Sequence, residues 1–378
     1  MTRSFADDFG PFDGRVWLNC AHQGPLPRAA VTEAYEAISW KISPHHLNNS
    51  ERFTSVPRRL KQALGRLINA PAEDIILGNS ASYGLHLLAN GIPWQAGDEV
   101  LLVRGDFPSD ILPWLALEER GVSIRFIDPK SFAVEPEELS ENITRSTKLL
   151  CTTWVNSFTG GAVDVRALGE ICRSSGVLLV LNCSQALGAR ALDISSLNVD
   201  AVISVGFKWL CGPYGTGFCW MKPDLRESLT YNQAYWLAMQ TADDLTSGRE
   251  PVRRKDVGAR KYDVFGTANF FNFKPWAASV EYLLEQGIER IVSHNDDLVS
   301  RLLEGLDSLG YEVLSPKQAP TRSTLVLASH KEPARNRELH EKLKRNGVEI
   351  ALRAGNLRIA PHLYNTDQDI DRFLSLLN

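Results

Sequence analysis

A chain of 378 residues, 44% hydrophobic and 23% charged, has the balance of an ordinary globular protein, long enough for a large core and for two domains rather than one. Its net charge of -4 gives no basic field for nucleic acid or for an acidic membrane, and no apolar run approaches the roughly 18 residues that a membrane span needs. The six cysteines include no CxxC pair and mostly sit in apolar surroundings, which reads as buried free thiols in a reducing compartment. The start of the sequence has neither a signal-peptide apolar core nor a cleavage site, so the expected location is the cytoplasm.

In chain order, residues 16–27, VWLNCAHQGPLP, read as a short strand running into a Gly-Pro-Leu-Pro turn, with a helix over 28–41 to follow. His22 stands in that turn with Asn19 and Gln23, either as a plain loop histidine or as part of a site. His45-His46 has no carboxylate or cysteine at metal-ligand spacing, and no metal is expected there. From Ile75 the pattern becomes strand, turn, helix, repeated. A strand over 75–77 meets the small polar stretch Gly78-Asn79-Ser80-Ala81-Ser82 and a helix over 83–89. Small residues at a helix start either cap it or leave N–H groups free to face an anion.

Further strands are expected over 100–103, 122–127, 148–155, 177–181 and 201–205, with helices over 111–120, 135–142 and 165–175. Alternation of this kind makes parallel βαβ units with right-handed crossovers, and ligands of such sheets bind beyond the carboxyl ends of the strands. The polar clusters 78–82, 105–110, 156–160, 182–185 and 206–208 all follow strands. The last contains Lys208, set among aromatic residues before a glycine-rich turn. It reads either as a lysine that snorkels to solvent or as one kept uncharged by desolvation, as Schiff-base chemistry requires.

Residues 222–265 are mixed, and the basic run 253–255 reads as a solvated face. After Lys274-Pro275 one long helix is expected to about Gly305. Strands over 323–328, 348–352 and 357–359, a helix over 332–346 and a last helix after Thr366 form a separate α+β unit.

From LNCAHQGPLP to LRAGNLRIAPHLYNT the chain resembles the class V aminotransferase family of pyridoxal-phosphate enzymes, fold type I, and most closely its isopenicillin N epimerase-like branch. The resemblance implies an α/β protein. An N-terminal segment (1–25) joins the small domain, a large cofactor-binding domain (26–272) carries a mostly parallel sheet sandwiched by helices, and a smaller C-terminal α+β domain spans 273–378. KWLCGPYGTG is similar to the family's most specific motif, so Lys208 would hold pyridoxal 5'-phosphate as a Schiff base and shuttle the proton at the substrate's Cα. Ala81 and Ser82 match phosphate-binding positions, Phe107 the aromatic that stacks on the pyridine ring, and Asn156 and Gln185 two amides that reach the ring hydroxyl. Gly266 and Thr267 match the motif by which one subunit reaches its neighbour's phosphate, which implies a homodimer with shared active sites. Arg358 matches the arginine that grips a substrate carboxylate, with Arg353 assisting and His22 counted with them on the substrate side.

Three positions depart from the family pattern. Asn182 replaces the aspartate that pairs with the pyridine nitrogen, Phe207 stands where many members have histidine, and Val205 where desulfurases have a serine. Desulfurases also carry a loop cysteine shortly before the carboxylate arginine, and here none follows Cys219. Cysteine desulfurization is therefore not expected. The function expected is action at Cα of an amino acid, by transamination, epimerization or C–S/β-elimination, all of which begin with the same deprotonation by Lys208. Asn182, a neutral amide, favours the last two, because it cannot hold the ring nitrogen protonated as a carboxylate would. A non-catalytic relative, with Asn182 and Phe207 as signs of decay, is the contrasting reading. A cofactor-free lysine aldolase would have no use for a phosphate loop and a stacking aromatic.

Overall fold

The computed structural model describes residues 4–47, 50–230, 234–254, 257–266 and 268–377. The segment Thr267 and the basic-run residue Lys255 lie outside them. In chain order the strands are β1 (Val16–Trp17), β2 (Ile75–Gly78), β3 (Glu99–Val103), β4 (Ser123–Ile127), β5 (Thr147–Thr153), β6 (Leu178–Asn182), β7 (Ala201–Val205), β8 (Gly217–Met221), β9 (Glu312–Val313), β10 (Val326–Ser329), β11 (Val348–Glu349), β12 (Ala351–Arg353) and β13 (Asn356–Ile359).

Among the described residues, seven strands form one sheet in the order β2-β8-β7-β6-β5-β3-β4. The strands β7, β6, β5, β3 and β4 pair in parallel. β8 runs antiparallel to both β2 and β7, so β2 points the same way as the parallel set. The carboxyl ends of β2, β3, β5, β6 and β7 therefore share one edge. The strands are apolar on both faces because both faces are covered. Leu101, Leu150, Leu179 and Val202 enter one core, while their neighbours Val100, Leu102, Leu149, Val180 and Ile203 enter the other. Each such side chain contributes about 1.5–3 kcal/mol on burial.

A second sheet, β12-β13-β10-β9, is antiparallel throughout. One of its faces packs Leu357 and Ile359 against Leu298, Leu302 and Phe373 of the C-terminal helices. The architecture is thus a mostly parallel sheet flanked by helices, plus an antiparallel sheet.

Several elements differ from the sequence expectation. β8 begins at Gly217, which reads as the end of a turn, yet it inserts between β2 and β7. The helix α2 (Ser50–Ile68) was not anticipated, although Val56, Leu60, Ala63, Leu64 and Leu67 mark its buried stripe. The helix expected over 111–120 is instead a four-residue α-turn, Leu112–Leu115, between two 3-10 turns. The long helix after Pro275 is two helices, Phe270–Gln286 and Ile288–Ser308. They meet at Gly287, whose φ of 85° no helix accommodates.

The N-terminal segment runs as a strap. β1 pairs in parallel with β11, the Cys20 amide donates to the Ala360 carbonyl (3.1 Å), and the Gly24 amide donates to the Phe207 carbonyl (2.9 Å). The strap thereby ties the antiparallel sheet to the loop that carries Lys208. Helix α1 (Arg28–Ile42) follows. A Cβ on Gly24 would fall 2.1 Å from the Lys208 carbonyl oxygen, a contact that only backbone movement relieves. Gly24→Ala should therefore lower stability by about 1–3 kcal/mol, seen as a lower urea midpoint at unchanged slope. An unchanged midpoint would show that the strap yields freely.

Candidate active site

Lys208 sits in the loop after β7, half-buried. Its neighbours are clamped on both sides. The backbone of Phe207 and Lys208 accepts from Gly24 and Cys211 (2.9 and 3.0 Å). Trp209 donates through Nε1 to Gln185 Oε1 (2.9 Å) and stacks edge-on against His362 at 5.2 Å. Under the loop lies Trp276 of helix Phe270–Gln286, so close that a Cβ on Gly206 would stand 2.4 Å from its ring. The lysine is therefore presented by a rigid base. The ring of Phe107, 43% exposed, lies with its centre 5.5 Å from the Lys208 Nζ.

Two arginines face the lysine from β12 and β13. In that hairpin Ala351 pairs with Arg358 and Arg353 with Asn356, so Arg353 and Arg358 project from the same face. Arg358 is buried, and among the described residues its Nε and Nη2 have no hydrogen-bond partner. Burial and Arg353 press its guanidinium well below its ordinary value. Because an arginine keeps its proton, this position requires an anion. Burial, then the charge of Arg358, with a further push from Arg353, brings the Lys208 amine down to about 8 against the opposing pull of Asp110. His22, exposed in its turn, feels the same field. Partial burial and then Arg353, Arg358 and Lys208 hold it below the usual histidine range.

Across the sheet edge, Ala81 and Ser82 open helix α3 (Ala81–Gly91), with Ser80 as the N-cap accepting from the Tyr83 amide (3.3 Å). The amides of Ala81 and Ser82 fall in the first turn, where no carbonyl of the helix can reach them. Gly84 lets this helix lie close on β8, since a Cβ there would be 2.9 Å from the Cys219 side chain.

The two amides expected at the ring hydroxyl both lie at the sheet edge and bond to neighbouring loops. Asn156 donates to the Gly105 carbonyl (3.2 Å) and Asp106 (3.0 Å) and accepts from the Phe158 and Thr159 amides (2.8 and 3.1 Å). Gln185 donates to the Ala21 carbonyl and to Ser157 (3.1 and 3.2 Å). Both side chains are thus engaged in holding loops together. Gly266 is exposed and bonded to the Tyr235 hydroxyl (2.7 Å). No hydrogen bond or ring contact among the described residues joins it to Lys208 or Arg358.

Sequence reasoning missed two acids, Asp106 and Asp110, both buried at the end of β3. Asp110 accepts from the Asn182 side-chain amide (2.8 Å), while Asn182 accepts from the Ser184 backbone amide (2.9 Å). Asp106 accepts from Thr153 Nα–H and Oγ1 (3.1 and 2.5 Å) as well as from Asn156. Burial, with Asp106 adding to it, pushes the Asp110 carboxyl up to about 7. Two acids four residues apart in GDFPSD, just past a strand, were the available signal.

The sequence matches the family description Aminotransferase class-V over residues 29–373. A probable cysteine desulfurase of Methanothermobacter thermautotrophicus is 26% identical over 298 residues, 78% of this chain and 73% of that protein. A mutant of C-DES with glycine covalently linked to its PLP cofactor superposes with a TM-score of 0.88 at 20% identity, covering 98% of each chain. The cystine C-S lyase C-DES in complex with its product, cysteine persulfide, gives 0.86 at 21%, covering 96% of this chain and 97% of that one. The fold is that of these type I enzymes. The family match does not reach as fine as the epimerase-like branch.

One expectation is overturned. The exclusion of cysteine desulfurization rested on a missing loop cysteine and on Val205, yet this chain is similar to a protein named a probable cysteine desulfurase and to a cystine C-S lyase. The inference made one loop cysteine and a serine at position 205 the test for desulfurization, and the likeness to proteins of that name holds without either. C–S/β-elimination, already among the expected reactions, needs no protein thiol.

Pyridoxal phosphate fits the residues present. A lysine whose amine is brought down to about 8 loses its proton far more readily than an ordinary one and can meet the aldehyde, the free amides of α3 suit the phosphate, and Phe107 offers a flat apolar face. Among the described residues Arg358 Nε and Nη2 meet no acceptor. The chain belongs to the class V aminotransferase family and depends on pyridoxal phosphate.

Proposed function

We propose that this protein is an enzyme that removes the Cα proton of an amino acid and cleaves a bond at Cβ, a C–S bond in the first instance. The observation that carries this reading is the buried Arg358, with two free donors, beside a Lys208 amine brought down to about 8. One group asks for a carboxylate and the other for a proton, and an α-amino acid supplies both at adjacent atoms. When bound, the cofactor supplies the electron sink that makes Cα acidic. Lys208 holds the cofactor aldehyde before substrate enters and then carries the proton. Its rigid clamp keeps Nζ at one position over Cα. Arg358, with Arg353 on the same face, fixes the carboxylate in a two-pronged grip and so orients the scissile bond. Ala81 and Ser82 anchor the phosphate, and Phe107 covers the ring.

The names of the relatives support sulfur chemistry, and the burial of all six cysteines suits an elimination that uses no protein thiol. We also propose a homodimer in the cytoplasm, with Gly266 and Thr267 reaching the neighbour's phosphate. The exposed apolar side chain of Phe265 beside Gly266 favours a covered surface.

The holoenzyme incubated with L-cystine, L-cysteine and β-chloro-L-alanine should release pyruvate and, from the first two, reduced or persulfide sulfur. Lys208→Ala should lower that rate by about 10²–10⁴-fold, the usual worth of a general acid–base group. Amino-group transfer to keto acids with no pyruvate from any of the three would overturn the proposal. Arg358→Lys keeps the charge but loses the fork, and should weaken amino-acid binding by about 1.5–3 kcal/mol while sparing the decarboxylated amine. Equal losses for both would remove Arg358 from the carboxylate site.

The cation cluster also has a consequence for the cofactor-free protein. Lys208 titrates near 8 when folded and near 10.5 when unfolded. Between those values the unfolded chain holds more protons, so stability rises with pH through that window, and below pH 8 the full penalty applies. Replacing the amine by an uncharged chain of similar length, Lys208→Met, should stabilise the apoprotein at pH 7 by about 1–3 kcal/mol and flatten the rise in urea midpoint from pH 8 to 10. A midpoint that falls at pH 7 would show the lysine charge to be compensated.

A further inference from the structure

The sequence suggests that position 182 has lost its acid. The structure instead holds an acid one hydrogen bond away. Asn182, at the end of β6, donates through Nδ2 to Asp110 Oδ1 at 2.8 Å and accepts through Oδ1 from the Ser184 amide at 2.9 Å. A backbone N–H on one side and a carboxyl on the other leave the amide a single orientation. Both residues are almost wholly enclosed, with Asn182 3% and Asp110 1% exposed. Among the described residues the Asp110 carboxyl has one other donor, the Ser109 hydroxyl at 3.3 Å, and no ion pair. A buried carboxyl with so little support is costly unless positive charge arrives. The charged and titratable groups that face it are Asp106, Lys208 and Cys151. Asp106 repels it, and Lys208 is the one cation among them.

Asn182 keeps one N–H and one Oδ1 lone pair unused. In pyridoxal phosphate the ring nitrogen lies para to the aldehyde carbon, so a cofactor held by Lys208 and by the first turn of α3 directs that nitrogen away from the lysine, into the sheet edge. We propose that Asp110 is the positioning residue for the cofactor's ring nitrogen, supplying through Asn182 the negative charge that keeps this nitrogen protonated. An ionised Asp110 polarises the amide, makes Oδ1 a stronger acceptor and favours N–H over a bare nitrogen at the ring. Asp106 works in the same direction. Its own carboxyl is surrounded by donors from Thr153 and Asn156, and two close acids stabilise one added positive charge more than either does alone. This inference rests on the Lys208 assignment of the preceding section.

The test is the ring-nitrogen chemical shift of 15N-labelled pyridoxal phosphate bound to the protein without substrate at pH 7.5. Borohydride trapping with peptide mass analysis establishes the attachment site. Wild type should show the protonated shift. Asp110→Asn, which is isosteric, should move the shift toward the unprotonated limit set by the free cofactor at alkaline pH. The exchanged pair Asp110→Asn/Asn182→Asp should restore the protonated shift. A purely structural role for Asp110 would not predict rescue by moving the acid to position 182. An unprotonated wild type, or a shift that Asp110→Asn leaves in place, overturns the proposal. Asp110→Ser, read the same way, serves if Asp110→Asn does not fold, and if neither folds the wild-type shift decides alone. Label on a residue other than Lys208 removes both readings. Label on Lys208 with a ring nitrogen indifferent to Asp110 removes this one only.

Discussion

Lys208, Arg358 and Arg353 bring three basic groups into one partly dehydrated space, with Asp110 the nearby carboxyl that draws on the lysine. Left to themselves such groups move apart or recruit counterions from water. Here they cannot, because each is mounted on an element whose position is fixed by apolar burial elsewhere. Lys208 is seated on Trp276 and strapped by Gly24, and Arg358 belongs to a strand paired on both sides. The unfavourable field is therefore maintained by the two cores around the large sheet and the third beneath the small one. Such a field favours anionic ligands. The affinity of the site for such molecules is set before they arrive, since no reorganisation is needed to create the charge that binds them.

Much of this was legible where the meaning of a residue is local. Lysine after a buried strand and small residues before a helix carry their sense in a few neighbouring positions, and the structure sets Lys208 and the Ala81–Ser82 turn at the sheet edge where the strand ends were expected. The role expected of Arg358 came from the family resemblance and not from its neighbours in sequence. Asp110 was not legible, because its significance lies in a partner 72 residues away. As a sequence feature it is only a polar residue in a turn. Asn156 and Gln185 show the converse. The family resemblance implies that they reach the cofactor's ring hydroxyl; their bonds to neighbouring loops are visible only in three dimensions. β8 was missed because a glycine that opens a strand looks the same as one that closes a turn. The continuous helix after Pro275 failed because a favourable apolar period on both sides of Gly287 outweighed one residue that reverses the chain. The error about desulfurization was of another kind. It made one loop cysteine the test for likeness to desulfurases, whereas that likeness is spread over most of the chain.

The position of Asp110 also changes how substitutions in this family fold can be read. An acid beneath a cofactor ring need not be kept at one position if the sheet edge brings two strand ends within a hydrogen bond of each other. Charge can then be moved between neighbouring loops while the electrostatic result at the ring is maintained, and the appearance of loss at one site is offset at another.

The strap from β1 to Gly24 has a temporal side. Arg15 bonds to Glu349, 334 residues further along the chain, and the adjacent β1 pairs with β11. A ribosome that has released the first 25 residues must make almost the whole remainder before that partner exists. The βαβ units of the large sheet form from contacts between neighbours in sequence and are free to fold as they emerge. The strap cannot, since its closure spans nearly the full chain. The loop bearing Lys208 thus receives its last clamp, and faces its arginines, only at the end of synthesis, so an incomplete chain carries the sheet without the chemistry.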